Sequence, residues 1–251
     1  FTTTAKAQKE AETFNVDSTL YEYYQRCQEY LLEPVVLNMS DTLFRMAGER
    51  QDERMQAVAI ATQLDYYYFQ GTNEDSVIHY TNKVKEFAKA THQPKYYYFA
   101  WANRLITYYL KTSRTNIALY EVQNMLKEAQ EEDDKTGLSR CYNIMSQIYT
   151  IKRFDSMAFE WRLKEIELTE KYKIENYNIS QTYAQIANYY INQKKQKEAL
   201  AAVEKAIATA NSSTQQISAK LEFVNYYSKF GDFQAAEKLL KECQTAFEQD
   251  K

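Results

Sequence analysis

Apolar positions in this chain fall into columns that repeat about every 40 residues. One column holds Tyr68, Tyr109, Tyr149, Tyr190 and Tyr227, at spacings of 41, 40, 41 and 37 residues. Nine residues later a second column holds Val77, Ala118, Ala158, Ala199 and Ala236; four residues before the Tyr column a third holds Leu64, Leu105, Met145, Ile186 and Phe223. Spacing within a unit is helical. Leu64 and Tyr68, like Ile186 and Tyr190, are i and i+4 and share a helix face. Ala199, Val203, Ala206 and Ile207 repeat the pattern on a second helix. A hairpin of two such helices cannot bury its apolar face alone, so successive hairpins must stack. The small column lets two helices approach closely and the Tyr column fills the wider gap beside it, which places both in the core.

The chain breakers agree with this register. Gly71 and Gly231 fall between the Tyr column and the small column, at the turn inside a hairpin, while Pro94 and Gly137 fall between hairpins. Pro34 and Gly48 bound a helix in an earlier, divergent hairpin at 17–50, with helices near 18–31 and 35–48. Residues 1–16 read as a polar lead-in, and 51–251 as five hairpins in one continuous run. The expected fold is an all-α, right-handed α-solenoid of about six helical hairpins. With 4 Gly and 2 Pro in 251 residues, a sheet protein, which needs frequent turn residues, is excluded. The 23 Tyr suit a thin structure: each ring buries a large apolar area and its hydroxyl reaches water or a carbonyl.

Charge and candidate chemistry narrow the function. A net charge of −3 argues against a nucleic-acid partner, and Lys194, Lys195 and Lys197 read as a solvated turn. Cys27, Cys141 and Cys243 are odd in number and far apart, and fit small buried residues rather than a disulfide framework or zinc site. His79 and His92 have neither metal-ligand spacing nor a nucleophile pattern, and no two Gly lie close enough for a phosphate loop. No catalytic residue, metal or cofactor is expected. No apolar run is long enough to span a membrane. The chain starts at Phe1 rather than Met, which reads as a fragment or processed form.

The columns resemble tetratricopeptide (TPR) repeats. Tyr183, Ile186, Ala187, Tyr190, Ala199, Val203 and Ala206 match that pattern, and Phe223, Tyr227, Gly231, Asp232, Phe233 and Ala236 match it again. The period near 40 exceeds the usual 34. Asp65 and Ser146 stand where the family has a small apolar residue. The resemblance implies that first helices line a concave groove, with inward positions two and six residues before the Tyr column. These are Tyr66 with Thr62, Thr107 with Asn103, Gln147 with Asn143, Asn188 with Ala184, and Asn225 with Leu221. Neutral amides and hydroxyls suit a peptide backbone or a sugar hydroxyl. The cationic clamp some relatives use for a C-terminal carboxylate is missing from these positions, although Lys111, Arg140 and Lys229 stand close by.

Long-period, Tyr-rich repeats of this style are similar to the extracytoplasmic sensor regions of two-component histidine kinases of Bacteroides-type bacteria. They also resemble repeats ahead of membrane-tethered transcriptional regulators. That likeness implies a non-catalytic, periplasmic module in a membrane-anchored parent, binding a protein, peptide or small sugar-like ligand and able to pair as a homodimer. The alternative is a cytoplasmic peptide-binding scaffold.

Overall fold

The computed structural model describes residues 17–249; the expected lead-in at 1–16 lies outside them. Among the described residues there are helices and no strand. The chain forms two compact units that part between Arg140 and Cys141. In the first, α1 (Ser18–Glu29) and α2 (Val35–Glu49) make the divergent hairpin close to its expected bounds. Helices α3 (Glu53–Gln70) and α4 (Glu74–Ala90) make the next. Helix α5 runs through Pro94–Ala100, a π-helical turn Trp101–Ile106, and Thr107–Lys111, and pairs with α6 (Thr115–Glu131). Helix α7 (Lys135–Ile151) begins in the first unit. The second unit holds the rest of α7, then α8 (Asp155–Tyr172), α9 (Ile179–Asn192), α10 (Gln196–Thr209), α11 (Ser213–Phe230) and α12 (Phe233–Gln249).

The helix ends explain why so few glycines suffice. The amide of Asp52 donates to the Ala47 carbonyl (2.9 Å), Arg114 to Tyr109 (2.8 Å), Phe154 to Tyr149 (2.9 Å) and Asp232 to Tyr227 (2.9 Å), each closing a helix C-terminus by the six-to-one bond of a Schellman turn. The residue before each of these donors is left-handed. Glycine takes that place at Gly231 (φ 90°), but Gln51, His92, Ser113, Asp133, Arg153, Lys173 and Lys194 adopt φ between 51° and 64° elsewhere. Pro94 opens α5 at its first turn, where its missing N–H costs nothing. Gly137 marks no helix end: it lies in the first turn of α7, where a Cβ would stand 2.9 Å from the Tyr98 ring and 3.0 Å from the Ala129 Cβ.

The small column is buried throughout, from Val77 at 0% to Ala236 at 6% exposure. Leu64, Leu105, Met145 and Ile186 are buried with it, and Phe223 packs against the core as a half-buried ring. The Tyr column differs from expectation in part. Tyr68 and Tyr109 are buried, but Tyr149, Tyr190 and Tyr227 are half-exposed. Their rings cover the core edge instead, Tyr190 edge-on to Phe159 at 5.1 Å and Tyr227 stacked on Phe223 at 4.6 Å. Cys27, Cys141 and Cys243 are buried and form no disulfide, and burial pushes the Cys27 thiol up to about 11.

Candidate ligand-binding face

The residues expected to line a groove do lie on first helices, but with different freedom. In the first unit Thr62 is buried, and its hydroxyl donates to the Val58 carbonyl of its own helix at 2.9 Å. Tyr66 stands half-exposed, edge-on to Tyr67. Asn103 and Thr107 are half-buried on α5. The Thr107 hydroxyl donates to the Ala102 carbonyl five residues back (3.0 Å), which caps the wide π-turn. In the second unit the amides pair along their helices. Gln147 Nε2 donates to Asn143 Oδ1 (2.7 Å), Asn192 Nδ2 to Asn188 Oδ1 (2.9 Å), and Asn188 and Asn225 both donate to Glu222 Oε2 at 3.4 Å. Gln147, Asn192 and Asn225 are exposed.

Asn143 has a second role. Its Nδ2 donates at 3.2 Å to both oxygens of Glu165, which is 2% exposed. Asn176 adds a bond at 3.0 Å, so one buried carboxylate ties α7 to the loop after α8. Burial pushes the Glu165 carboxyl above the usual range; the hydrogen bonds from Asn143 and Asn176 and the charge of Arg162 oppose this without cancelling it. Arg162, one turn earlier and also buried, donates from Nε to Gln185 (2.7 Å) and from Nη2 to Thr150 (2.8 Å). This network is a polar core knitting α7, α8 and α9 together rather than an open site.

Sequence reasoning missed a group in the first unit. Arg104, carried on the π-turn, grips Asp65 of α3 with Nε and Nη2 in a bidentate pair. Asp65 thereby earns its place where a small apolar residue is usual, and that substitution was the available signal. Ser146, the other departure, is buried and donates to the Asn143 carbonyl at 2.8 Å. Around Arg104 stand Phe99, Tyr68 and Phe69, their ring centres 4.9, 5.1 and 5.7 Å from its guanidinium. Arg140 approaches Phe99 at 5.4 Å, and Lys111 approaches Tyr68 and Phe69 at 4.2 and 5.7 Å.

The crystal structure of BtubC (BKLC) from P. vanneervenii is similar over 93% of this chain and 92% of that one, with a TM-score of 0.66 at 13% identity. The structure of the apo form of RapI is similar over 92% and 99%, with a TM-score of 0.52 at 14% identity. The fold is an all-α TPR-like solenoid of helical hairpins. No protein-family model matches the chain, and neither does any curated protein. Among the described residues no cluster of His, Cys, Asp or Glu could hold a metal, and no helix is long and apolar enough to cross a membrane.

Proposed function

We propose that the chain is a non-catalytic binding module that holds an extended peptide segment along its first helices. One observation carries this reading. On α7, α9 and α11 exposed Gln147, Asn192 and Asn225 recur beside half-buried Asn143 and Asn188; Gln147 bonds to Asn143 and Asn192 to Asn188, while Asn188 and Asn225 donate to Glu222. Such amides exchange their mutual bonds for those of a peptide backbone at little cost, since each offers a donor and an acceptor. Peptides selected from a display library against the chain test it. Gln147→Ala and Asn188→Ala are expected to weaken the selected peptides by about 2–12-fold each, the range of one neutral hydrogen bond. Asn143 is a poor choice because its loss also removes two hydrogen bonds from buried Glu165. Unchanged affinity in both variants refutes the reading.

The finer reading is that this module is the periplasmic sensor region of a two-component histidine kinase. Its support is the likeness of the long-period, Tyr-rich hairpins to such regions. Sequencing the gene on both sides decides it. A signal segment before Phe1, with an apolar run of about 20 residues and a kinase domain after Lys251, would support it. A DNA-binding domain would favour the transcriptional regulator, and a Met start with an early stop codon would leave a cytoplasmic scaffold.

A further inference from the structure

We propose that peptide capture on α7 is coupled to proton uptake by Glu165, with Asn143 as the link between the exposed face and the buried carboxyl. The proposal rests on the peptide-binding reading and adds regulation of that site by pH.

Three side chains form a line from solvent to core. Exposed Gln147 donates from Nε2 to Asn143 Oδ1 at 2.7 Å. Half-buried Asn143 donates from Nδ2 to both oxygens of buried Glu165 at 3.2 Å. A side-chain amide that grips a peptide backbone uses its oxygen and its nitrogen together. On Asn143 the oxygen holds the exposed partner and the nitrogen holds the buried one. A peptide that takes both therefore draws the Nδ2 donor away from Glu165.

The carboxyl is too deeply buried for bulk water to replace that donor. What remains is the amide of Asn176 at 3.0 Å, the Thr182 hydroxyl of α9, and the charge of Arg162 on α8. Arg162 faces Asp155 as well as Glu165, and its Nε and Nη2 donate to Gln185 and Thr150. The hydrogen-bond partners that α7, the loop after α8 and α9 supply to Glu165 are neutral. An ionised carboxylate that loses donors in a dry site is costly, and a proton taken from solvent removes the charge. Burial already holds the Glu165 carboxyl above the usual range, so a small further push suffices.

Asn188 makes the contrast. It donates to Glu222 at 3.4 Å, but Glu222 is half-exposed, and water replaces the bond when a peptide takes the amide. The coupling therefore belongs to Asn143 and not to every amide of the face. By reciprocity, a peptide that raises the proton affinity of Glu165 binds better once the proton is in place. Binding is tightest at low pH and weakens as pH rises through the raised range of Glu165. The fall is expected to be about 2–12-fold, the worth of one hydrogen bond.

Isothermal titration calorimetry of the full chain tests this. The probe is a display-selected peptide with blocked ends and no Asp, Glu, His or Cys. Binding is measured from about pH 4.5, near the ordinary Glu range, to about pH 8, in buffers of different ionisation heat. The expected result is uptake of a fraction of a proton per peptide bound. Glu165→Gln is expected to bind with no uptake and with an affinity that no longer falls with pH. The carbon-13 signal of the Glu165 carboxyl, assigned by its loss in that variant, is expected to titrate at higher pH with the peptide than without it. No uptake by the native chain, equal uptake by Glu165→Gln, or an unmoved carboxyl midpoint overturns the coupling. If Gln147→Ala and Asn188→Ala still weaken the peptide, the peptide reading stands without it; if they do not, both fall.

Discussion

Gly137→Ala is the substitution whose sign the structure decides against simple helix propensity. In a helix interior, alanine is favoured over glycine by about 0.8–1.0 kcal/mol. Here the new methyl would lie 2.9 Å from Cε2 and Cζ of Tyr98 and 3.0 Å from the Ala129 Cβ. Carbon pairs prefer about 3.5–4.0 Å, so Tyr98 must retreat by more than half an ångström. It has nowhere to go. Its side chain is fully buried, and its hydroxyl is fixed to Glu132 at 2.9 Å. Ala129 is buried as well. Overpacking of this kind costs about 1–3 kcal/mol, and the propensity gain is smaller than its interior value in the first turn, so a net loss of about 1–2 kcal/mol is expected. Thermal unfolding by circular dichroism should fall by roughly 2–4 °C per kcal/mol. Combining the change with Tyr98→Leu, which shortens the obstructing ring, should cost less than the sum of the two single changes. Equal or higher stability in Gly137→Ala would refute the close approach of α7 to α5.

Other consequences follow from the same contacts. Arg153, exposed and left-handed at φ 64°, should be stabilised by about 0.5–1 kcal/mol on replacement by glycine in urea unfolding; a loss of stability would mean that this turn is built differently. Glu165 binds its proton more tightly folded than unfolded, so stability falls as pH rises from the ordinary Glu range through the raised folded value. Glu165→Gln should flatten that decline, and an unchanged pH profile would mean that the carboxylate is not desolvated. Cys27, buried and with its thiol pushed up to about 11, should resist iodoacetamide at pH 7.5 until the chain unfolds; prompt labelling in the native state would contradict that burial.

The fold was legible because stacking repeats print their packing as columns. Val77, Ala118, Ala158, Ala199 and Ala236 show it best, since each must be small for two helices to meet. Turn chemistry was only half legible. Gly71 and Gly231 signalled their left-handed turns, but Ser113, Asp133 and Arg153 take the same conformation with no glycine to announce it. Gly137 read as a breaker because glycine serves both flexibility and close approach, and the second depends on Tyr98, which lies far away in sequence. The face residues were placed on the right helices, yet periodicity could not say that Thr62 turns back to its own backbone or that Asn143 serves a buried carboxylate. The π-turn at Trp101–Ile106 was invisible, and with it the re-aimed Arg104 and its bond to Asp65.

The central claim is that the first helices carry the ligand. Hydroxyl-radical footprinting of the full chain with and without a selected peptide tests it most directly. The expected result is protection confined to first-helix segments of the second unit, at the 142–147 stretch of α7, the 183–190 stretch of α9, and Leu221 on α11. Protection at second-helix rings such as Tyr120 on α6 or Tyr172 on α8, with the first helices unchanged, would contradict the account.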